Sequence, residues 1–172
     1  MANTNFPMGF VPVRYINGKD LSTEDIDVDA SNNAIYINDL LERRTDGYVH
    51  VAQATSVSLM GVAAEYKAAN TGGTIKYYPL EGLLMKAQVN GAVGVPQSDF
   101  DLAFDIVVTT GDTVTKYSKH EINPTGGATA TFPIKILKLW PSKNKEGNVM
   151  GPYMKVLCMA NQGVTKGAGT AL

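Results

Sequence analysis

Residues 35–66, IYINDLLERRTDGYVHVAQATSVSLMGVAAEY, carry the pattern from which the fold is predicted. Ile35 and Ile37 alternate with more polar neighbours, as in a strand with one buried face. The Thr-Asp-Gly sequence at 45–47 predicts a turn, because Gly readily adopts the positive φ of a tight reversal. β-rich runs follow at 48–51 and 57–62. Three short strands joined by two turns are typical of a meander or a small barrel.

The composition of the whole chain agrees with an all-β domain. The 172 residues are 44% hydrophobic and 18% charged, with 17 Gly and 8 Pro. This size suits one domain, and the many turn-forming residues favour short strands over helices. Residues 39–44 are the best helical candidate, and they are too few for a stable helix. We therefore predict a single small β-barrel or β-sandwich.

The chain divides into three predicted parts. Residues 1–34 form an extended N-terminal arm followed by a polar loop, 35–161 form the β-barrel domain, and 162–172 form a flexible C-terminal tail with little apolar surface. Pro7 and Pro12 hold the arm extended. Its many apolar side chains require burial, either on the end of the barrel or against a neighbouring subunit.

Further strands are predicted where β-rich or alternating runs occur between turn signals. The clearest alternation spans 100–108, where Phe, Leu, Phe, Ile and Val occupy every second position. The other predicted strands are 74–78, 83–89, 114–118, 129–140 and 153–160.

Acidic residues at 25, 27 and 29 raise the question of calcium. In an extended strand Asp25, Asp27 and Asp29 would share one face, and calcium prefers such oxygen ligands. The EF-hand pattern fails, since Ala30 and Tyr36 stand where a Gly and a Glu are required. A solvated acidic loop is the favoured interpretation, and no metal or cofactor is predicted.

No catalytic set is recognised in the sequence. The single cysteine, Cys158, lies in an apolar run and is interpreted as a small buried hydrophobe. His50 and His120 are the only histidines, and both are expected at the surface or, for His50, against a neighbour. Asp101 and Asp105 resemble a glycosidase pair but are explained as the polar half of an alternating strand. We therefore predict that the protein is not an enzyme.

Charge and hydropathy argue against two classes of partner. The formal net charge is −1, and Lys and Arg are scattered along the chain with no visible basic stripe, so no nucleic-acid partner is predicted. No apolar run approaches the roughly 20 residues that span a bilayer, and no signal peptide is recognised. The expectation is a protein that is made and used without secretion by that route and has no membrane partner.

Several short motifs point to one family. They are Asp39, the DGYV turn at 46–49, the Gly-Val and Tyr at 61–66, the opening NFPMGFVPVRY at 5–15, and the run FPIKILKL at 132–139. Together they resemble the β-barrel virion structural proteins of tailed phages, of the head decoration or cement type.

The resemblance implies a function, a location and partners. It implies a protein made in the host cytoplasm that binds the outer surface of the phage head and stabilises the shell. The implied partners are the major capsid protein and further copies of the chain, as a homotrimer or other homo-oligomer. The residues expected to carry the contacts are Phe6, Phe10, Val11, Val13, Tyr15 and Trp140.

Two alternatives stay open at this point. One is a virion-displayed β-barrel module that binds a glycan or another ligand, and the other is a different structural protein of the head–tail assembly. A stacking platform for a glycan would be formed by exposed tyrosines, namely Tyr36, Tyr48, Tyr66, Tyr77 and Tyr78.

Overall fold

A computed structural model describes residues 3–54, 56, 58–91, 93–126, 132–141 and 147–161. Within these residues the strands are β1 (Val11–Tyr15), β2 (Glu24–Val28), β3 (Leu40–Arg43), β4 (Val49–Val51), β5 (Leu59–Ala63), β6 (Gly73–Pro79), β7 (Leu83–Gln88), β8 (Ala103–Phe104), β9 (Ile106–Val107), β10 (Glu121–Ile122), β11 (Ile134–Leu139) and β12 (Lys155–Ala160). Two 3-10 helices lie at Gln97–Asp99 and Pro124–Gly126. No helix in the described part of the chain is long and apolar enough to cross a membrane. The predicted all-β class with a closed barrel is confirmed.

The closed barrel contains five strands in the order β2-β4-β3-β5-β6. Its pairs are antiparallel except β2 with β4, which run parallel and meet at Val28 and Val49. The interior is apolar and includes Ile35, Leu41 and Ile75. Because any Cβ at Gly61 would collide with a ring carbon of Tyr77, only glycine allows β5 and β6 to approach this closely.

The second sheet has five strands in the order β1-β7-β12-β11-β8. Its strand β1 precedes the barrel in the sequence, and a short turn connects the last barrel strand, β6, to β7 of this sheet. One face of this sheet covers the larger apolar core, which includes Phe10, Met85, Phe104, Ile136 and Cys158. A separate two-stranded sheet pairs β9 with β10.

The hairpin predicted around the turn at residues 45–47 forms. The amide of Arg44 donates to Tyr48 O over 3.1 Å, and Gly47 has a φ of +86°. The predicted first strand at 35 was wrong, because β3 begins only at Leu40, while Ile35 and Ile37 make isolated bridges. Of the run at 57–62, residue 57 lies outside the described residues. The predictions at 74–78, 83–89 and 153–160 correspond to β6, β7 and β12.

The clearest predicted strand is interrupted. Residues 100–108 contribute β8 to one sheet and β9 to another. Asp101 has a φ of +69°, and Asp105 accepts a hydrogen bond from the amide of Ile106 over 2.8 Å. These local features end one strand and begin the next, although burial still alternates along part of the run.

Two other predicted strands differ from the structure. The strand predicted at 114–118 does not form, because Asp112 Oδ1 accepts from the amides of Val114 and Thr115 in a turn at 113–115, and Tyr117 makes only an isolated bridge to Ile37. The strand predicted at 129–140 begins at Ile134, after Pro133, which cannot donate to a ladder. Residues 129–131 lie outside the described residues.

Of the N-terminal part, the described residues 3–34 are built into the domain. Residues 11–15 form β1 of the five-stranded sheet, and 24–28 form β2 of the closed barrel. The predicted polar loop was therefore wrong for 24–28, and residue 34 does not separate an arm from the barrel. Of the two alternatives for the arm, the structure shows it packed on its own domain. The tail 162–172 lies outside the described residues.

Candidate interaction surface

Strand pairing defines an outer face on the five-stranded sheet. On β7, Leu83 and Met85 point into the core, so Leu84 and Lys86 point to the opposite side. Directly paired residues of antiparallel strands share a face. The pairs of Leu84 with Met159 and of Lys86 with Leu157 extend that face onto β12. We call this surface the outer sheet face.

Five cationic side chains project from the outer sheet face, on four of its strands: Arg14, Lys86, Lys135, Lys138 and Lys155. Lys135 lies 3.5 Å from Asp101. Among the described residues the other four have no acidic partner within ion-pair distance. Cations that are scattered along the sequence are therefore brought together on this surface by strand pairing. The absence of a nucleic-acid partner stays a prediction.

Three of the predicted interface residues lie around Lys86. Val11 is paired with Lys86, and the ring of Trp140 lies 5.7 Å from its Nζ. Phe6 lines a small groove beside the same lysine and Lys155, and its side chain is 60% exposed. Two aromatic rings, an aliphatic side chain and two ammonium groups are thus brought together from distant parts of the sequence.

A fourth predicted residue, Val13, lies further along β1. It lines a groove of about 610 Å³ between β1 and the loop that follows, together with Arg14 and Leu84. Ile16 and Leu21 lie in the lining of the same groove and are themselves exposed. Apolar surface therefore continues from the outer sheet face to the loop.

Phe10 and Tyr15 are placed in the core. Phe10 is fully buried, and the amide of Phe10 donates to Asn38 O over 3.0 Å. Tyr15 is buried in the same cluster, and burial raises the pKa of its phenol. Neither side chain is available to a partner, so both are withdrawn from the predicted interface.

A pair of titratable side chains is buried in the domain. His120 Nε2 lies 3.4 Å from Asp39 Oδ1, and each side chain is only 2% exposed. The surface position predicted for His120 was wrong. Burial raises the pKa of Asp39 to about 6 and lowers the pKa of His120 to about 4. The pair therefore contains a neutral imidazole at neutral pH.

Ser118 completes this buried group without forming a nucleophile and its base. Its hydroxyl accepts from the amide of His120 over 3.1 Å, and it lies close enough to the Asp39 carboxyl to oppose the rise in the pKa of that group. Asp39 Oδ2 also accepts from the amide of Tyr36 over 2.7 Å. The arrangement fixes the backbone at 36–39 against 118–120, which is a structural role.

The acidic residues at 25–29 do not converge on a point. Asp25 pairs with Lys76 at 3.0 Å, and Asp29 accepts a hydrogen bond from the hydroxyl of Ser31. Within the described ranges no three His, Cys, Asp or Glu side chains are grouped so as to hold a metal ion. His50 is mostly buried on β4 and lies 3.3 Å from Asp46 Oδ2.

The tyrosine platform predicted for a glycan does not form as one surface. Tyr36 and Tyr77 are buried, so the prediction of exposed rings was wrong for these two. Tyr36 packs against Tyr66 with ring centroids 5.5 Å apart. Tyr48 is exposed on the hairpin turn.

Cys158 is fully buried, as predicted. Its Sγ lies 3.5 Å from Met85 O, and burial raises the pKa of the thiol. The interpretation of this cysteine as a buried hydrophobe is confirmed.

No family model matches this chain, and no curated protein or solved structure is found to be similar to it.

Proposed function

We propose that the protein is a decoration, or cement, protein that binds the outside of a tailed-phage head and stabilises the shell. The observation that carries the proposal is the presentation of Phe6. Its amide donates to Gln88 Oε1 over 2.9 Å, and Gln88 Nε2 donates to Asn5 Oδ1 over 2.8 Å. The backbone is held while the ring stays exposed, which is the arrangement expected of a preorganised apolar anchor.

The surroundings of Phe6 support a protein partner. Val11 and Trp140 add apolar and aromatic surface, and Trp is enriched among residues that dominate binding energy. The proposed partners are the major capsid protein and other copies of the chain, and the proposed location is the outer surface of the virion. The motifs that resemble phage decoration proteins, at 5–15 and 46–49, favour the same function.

The test uses phage heads that lack the protein. Purified chain is mixed with the heads, sedimented, and its copies counted by cryo-electron microscopy. Deleting residues 1–16 is unsuitable, because it removes β1 and the buried Phe10. The test variant is Phe6→Ser, and the matched control is Val114→Ser, since Val114 is 86% exposed in a turn outside the outer sheet face.

The proposal predicts saturable binding at defined lattice points. We expect Phe6→Ser to weaken binding by roughly tenfold or more, as for an interface anchor, and Val114→Ser to bind like the unmodified chain. Absence of binding to mature heads would contradict the proposal.

A glycan-binding module or another head–tail structural protein is the alternative. The burial of Tyr36 and Tyr77 weakens the glycan interpretation. Binding of the chain to a glycan array, lost on substitution of Tyr48, would favour the alternative.

A further inference from the structure

The chain also carries an acidic surface. Residues 20–29 hold five carboxylates and no Lys or Arg, although the formal net charge of the chain is only −1. We call this stretch the acidic segment. The acids are Asp20, Glu24, Asp25, Asp27 and Asp29.

Two of these acids have a defined orientation on β2. Ile26 and Val28 pack in the barrel interior, so Asp25 and Asp27 point outward. Lys76 offsets the charge of Asp25 in part. Asp20 and Asp27 are exposed and have no basic partner within ion-pair distance among the described residues.

The charges of the outer sheet face are similarly uncompensated. Arg14, Lys86, Lys138 and Lys155 lack acidic partners in the described part of the chain. Burial lowers the pKa of Lys86, and the nearby charge of Lys155 lowers it further. Positive charges that lie close together on one sheet face repel one another, and an anionic partner reduces this repulsion.

We propose that the outer sheet face of one copy binds the acidic segment of a second copy. The proposal rests on the proposed function, in which copies associate with one another, and it names the surfaces that meet. The two surfaces carry opposite charge on the same chain. Arg14 and Lys138 are exposed on the outer sheet face, although Leu84 and Leu157 between its cations are buried. Asp20 and Asp27 are exposed in the acidic segment.

The charges define the type of contact. Along one edge β2 is paired with β6 from Glu24 to Val28, and along the other edge it meets β4 only at Val28. The charged groups of both surfaces are on side chains, so the proposed contact consists of ion pairs between side chains. Outward residues repeat at about 7 Å along a strand, and side chains two strands apart are separated by about 10 Å, so several carboxylates can reach several ammonium groups. Because the two surfaces differ, copies join as a reciprocal dimer, a ring or a chain.

Charge reversal on the purified chain tests this contact without phage heads. The basic-face variant is Lys138→Glu with Lys155→Glu, and the acidic-segment variant is Asp20→Lys with Asp27→Lys. A quadruple variant combines all four changes and keeps the net charge of the original chain. The matched control is Lys116→Glu with Lys119→Glu, which gives the same net charge as the basic-face variant on a loop outside both surfaces. Self-association is measured by analytical ultracentrifugation over a range of salt concentrations, and circular dichroism checks folding.

We expect the unmodified chain to associate at low salt and to dissociate as salt rises, with each double variant at least about tenfold weaker. The quadruple variant should associate again, as should an equimolar mixture of the two double variants. The control should behave like the unmodified chain. Equal weakening by the control would show a net-charge effect and overturn the proposal.

Three other results would also overturn it: an unmodified chain that is monomeric at every salt concentration, a basic-face variant that associates normally, or a monomeric chain that uses these lysines to bind polyglutamate or a short DNA duplex. If the chain does not self-associate, its binding to phage heads through Phe6 can still be tested. If it does not bind heads, its self-association can still be measured.

Discussion

Asp39 and His120 are 81 positions apart in the sequence, and their side chains lie 3.4 Å apart in the interior. Each has a pKa shifted by burial toward its neutral form, upward for Asp39 and downward for His120. The two shifts act on stability in opposite directions. For Asp39, the stability contribution is present below the unfolded pKa of 3.8 and is lost as pH rises through about 6. For His120, it is present above 6.5 and is lost as pH falls through about 4.

Single substitutions should therefore reveal opposite pH dependences. With Asp39→Asn only the histidine remains, so we expect the free energy of unfolding to fall by about 2 kcal/mol, relative to the unmodified chain, between about pH 7 and pH 4.5. With His120→Gln only the carboxyl group remains, and the free energy should rise by a similar amount over the same interval. Urea unfolding at the two pH values measures both. Parallel changes in the two variants would contradict the assignment.

Gly9 holds the N-terminal segment against the buried polar group. Its φ is +71°, and a Cβ there would collide with the Cβ of Ser118 and lie 2.5 Å from Asn38 O. Gly82 has almost the same φ, +70°, with no atom within 4 Å of its hypothetical Cβ. We expect Gly82→Ala to cost about 1 kcal/mol of stability for backbone strain, and Gly9→Ala to cost about 3 kcal/mol because the clash is added. Chemical denaturation of both variants measures the difference, and equal costs would show that the clash is relieved.

The sequence correctly predicted those elements that depend only on residues close together in the chain. The Asp-Gly turn at 46–47 and the strands on either side of it follow from φ preference and alternation. The predicted strand at 35 was wrong because Asn38 adopts a φ of +72° and Asp39 binds the amide of Tyr36. At 100–108 the alternation is real, but Asp101 and Asp105 divide the run between two sheets. In both places, polar side chains that hydrogen-bond to nearby backbone groups override the alternating pattern of a strand.

The outer sheet face was harder to predict, because its residues become neighbours only through the strand order of the sheet. Arg14, Lys86, Lys138 and Lys155 come from four strands that become neighbours only when β1, β7, β12 and β11 pair. In the sequence they appear scattered. The burial of His120 depends equally on a partner from a distant segment. Only Phe6, Val11, Val13 and Trp140 were identified in advance, from their apolar character.

Phe6 and Phe10 should differ sharply in their contribution to stability. Phe10 is fully buried in the core and Phe6 is largely exposed. We expect Phe10→Ala to lower the free energy of unfolding by about 3–5 kcal/mol, and Phe6→Ala by less than about 0.5 kcal/mol. Equilibrium unfolding measures both variants. A comparable loss for the two would place Phe6 in the core and remove it as an anchor for a partner.

Cys158 should be chemically silent in the folded protein. Its thiol is fully buried, and its raised pKa leaves almost no thiolate, which is the reactive form. A thiol-specific reagent at about pH 8 should label the chain only after denaturant is added, with one label per chain. Replacement by Ser places a hydroxyl in the apolar core and should cost about 1–3 kcal/mol, while Cys158→Ala should cost less if polarity dominates over lost volume. Rapid labelling of the native chain under conditions where unfolding is negligible would show that β12 is open to solvent, and would contradict its central position between β7 and β11.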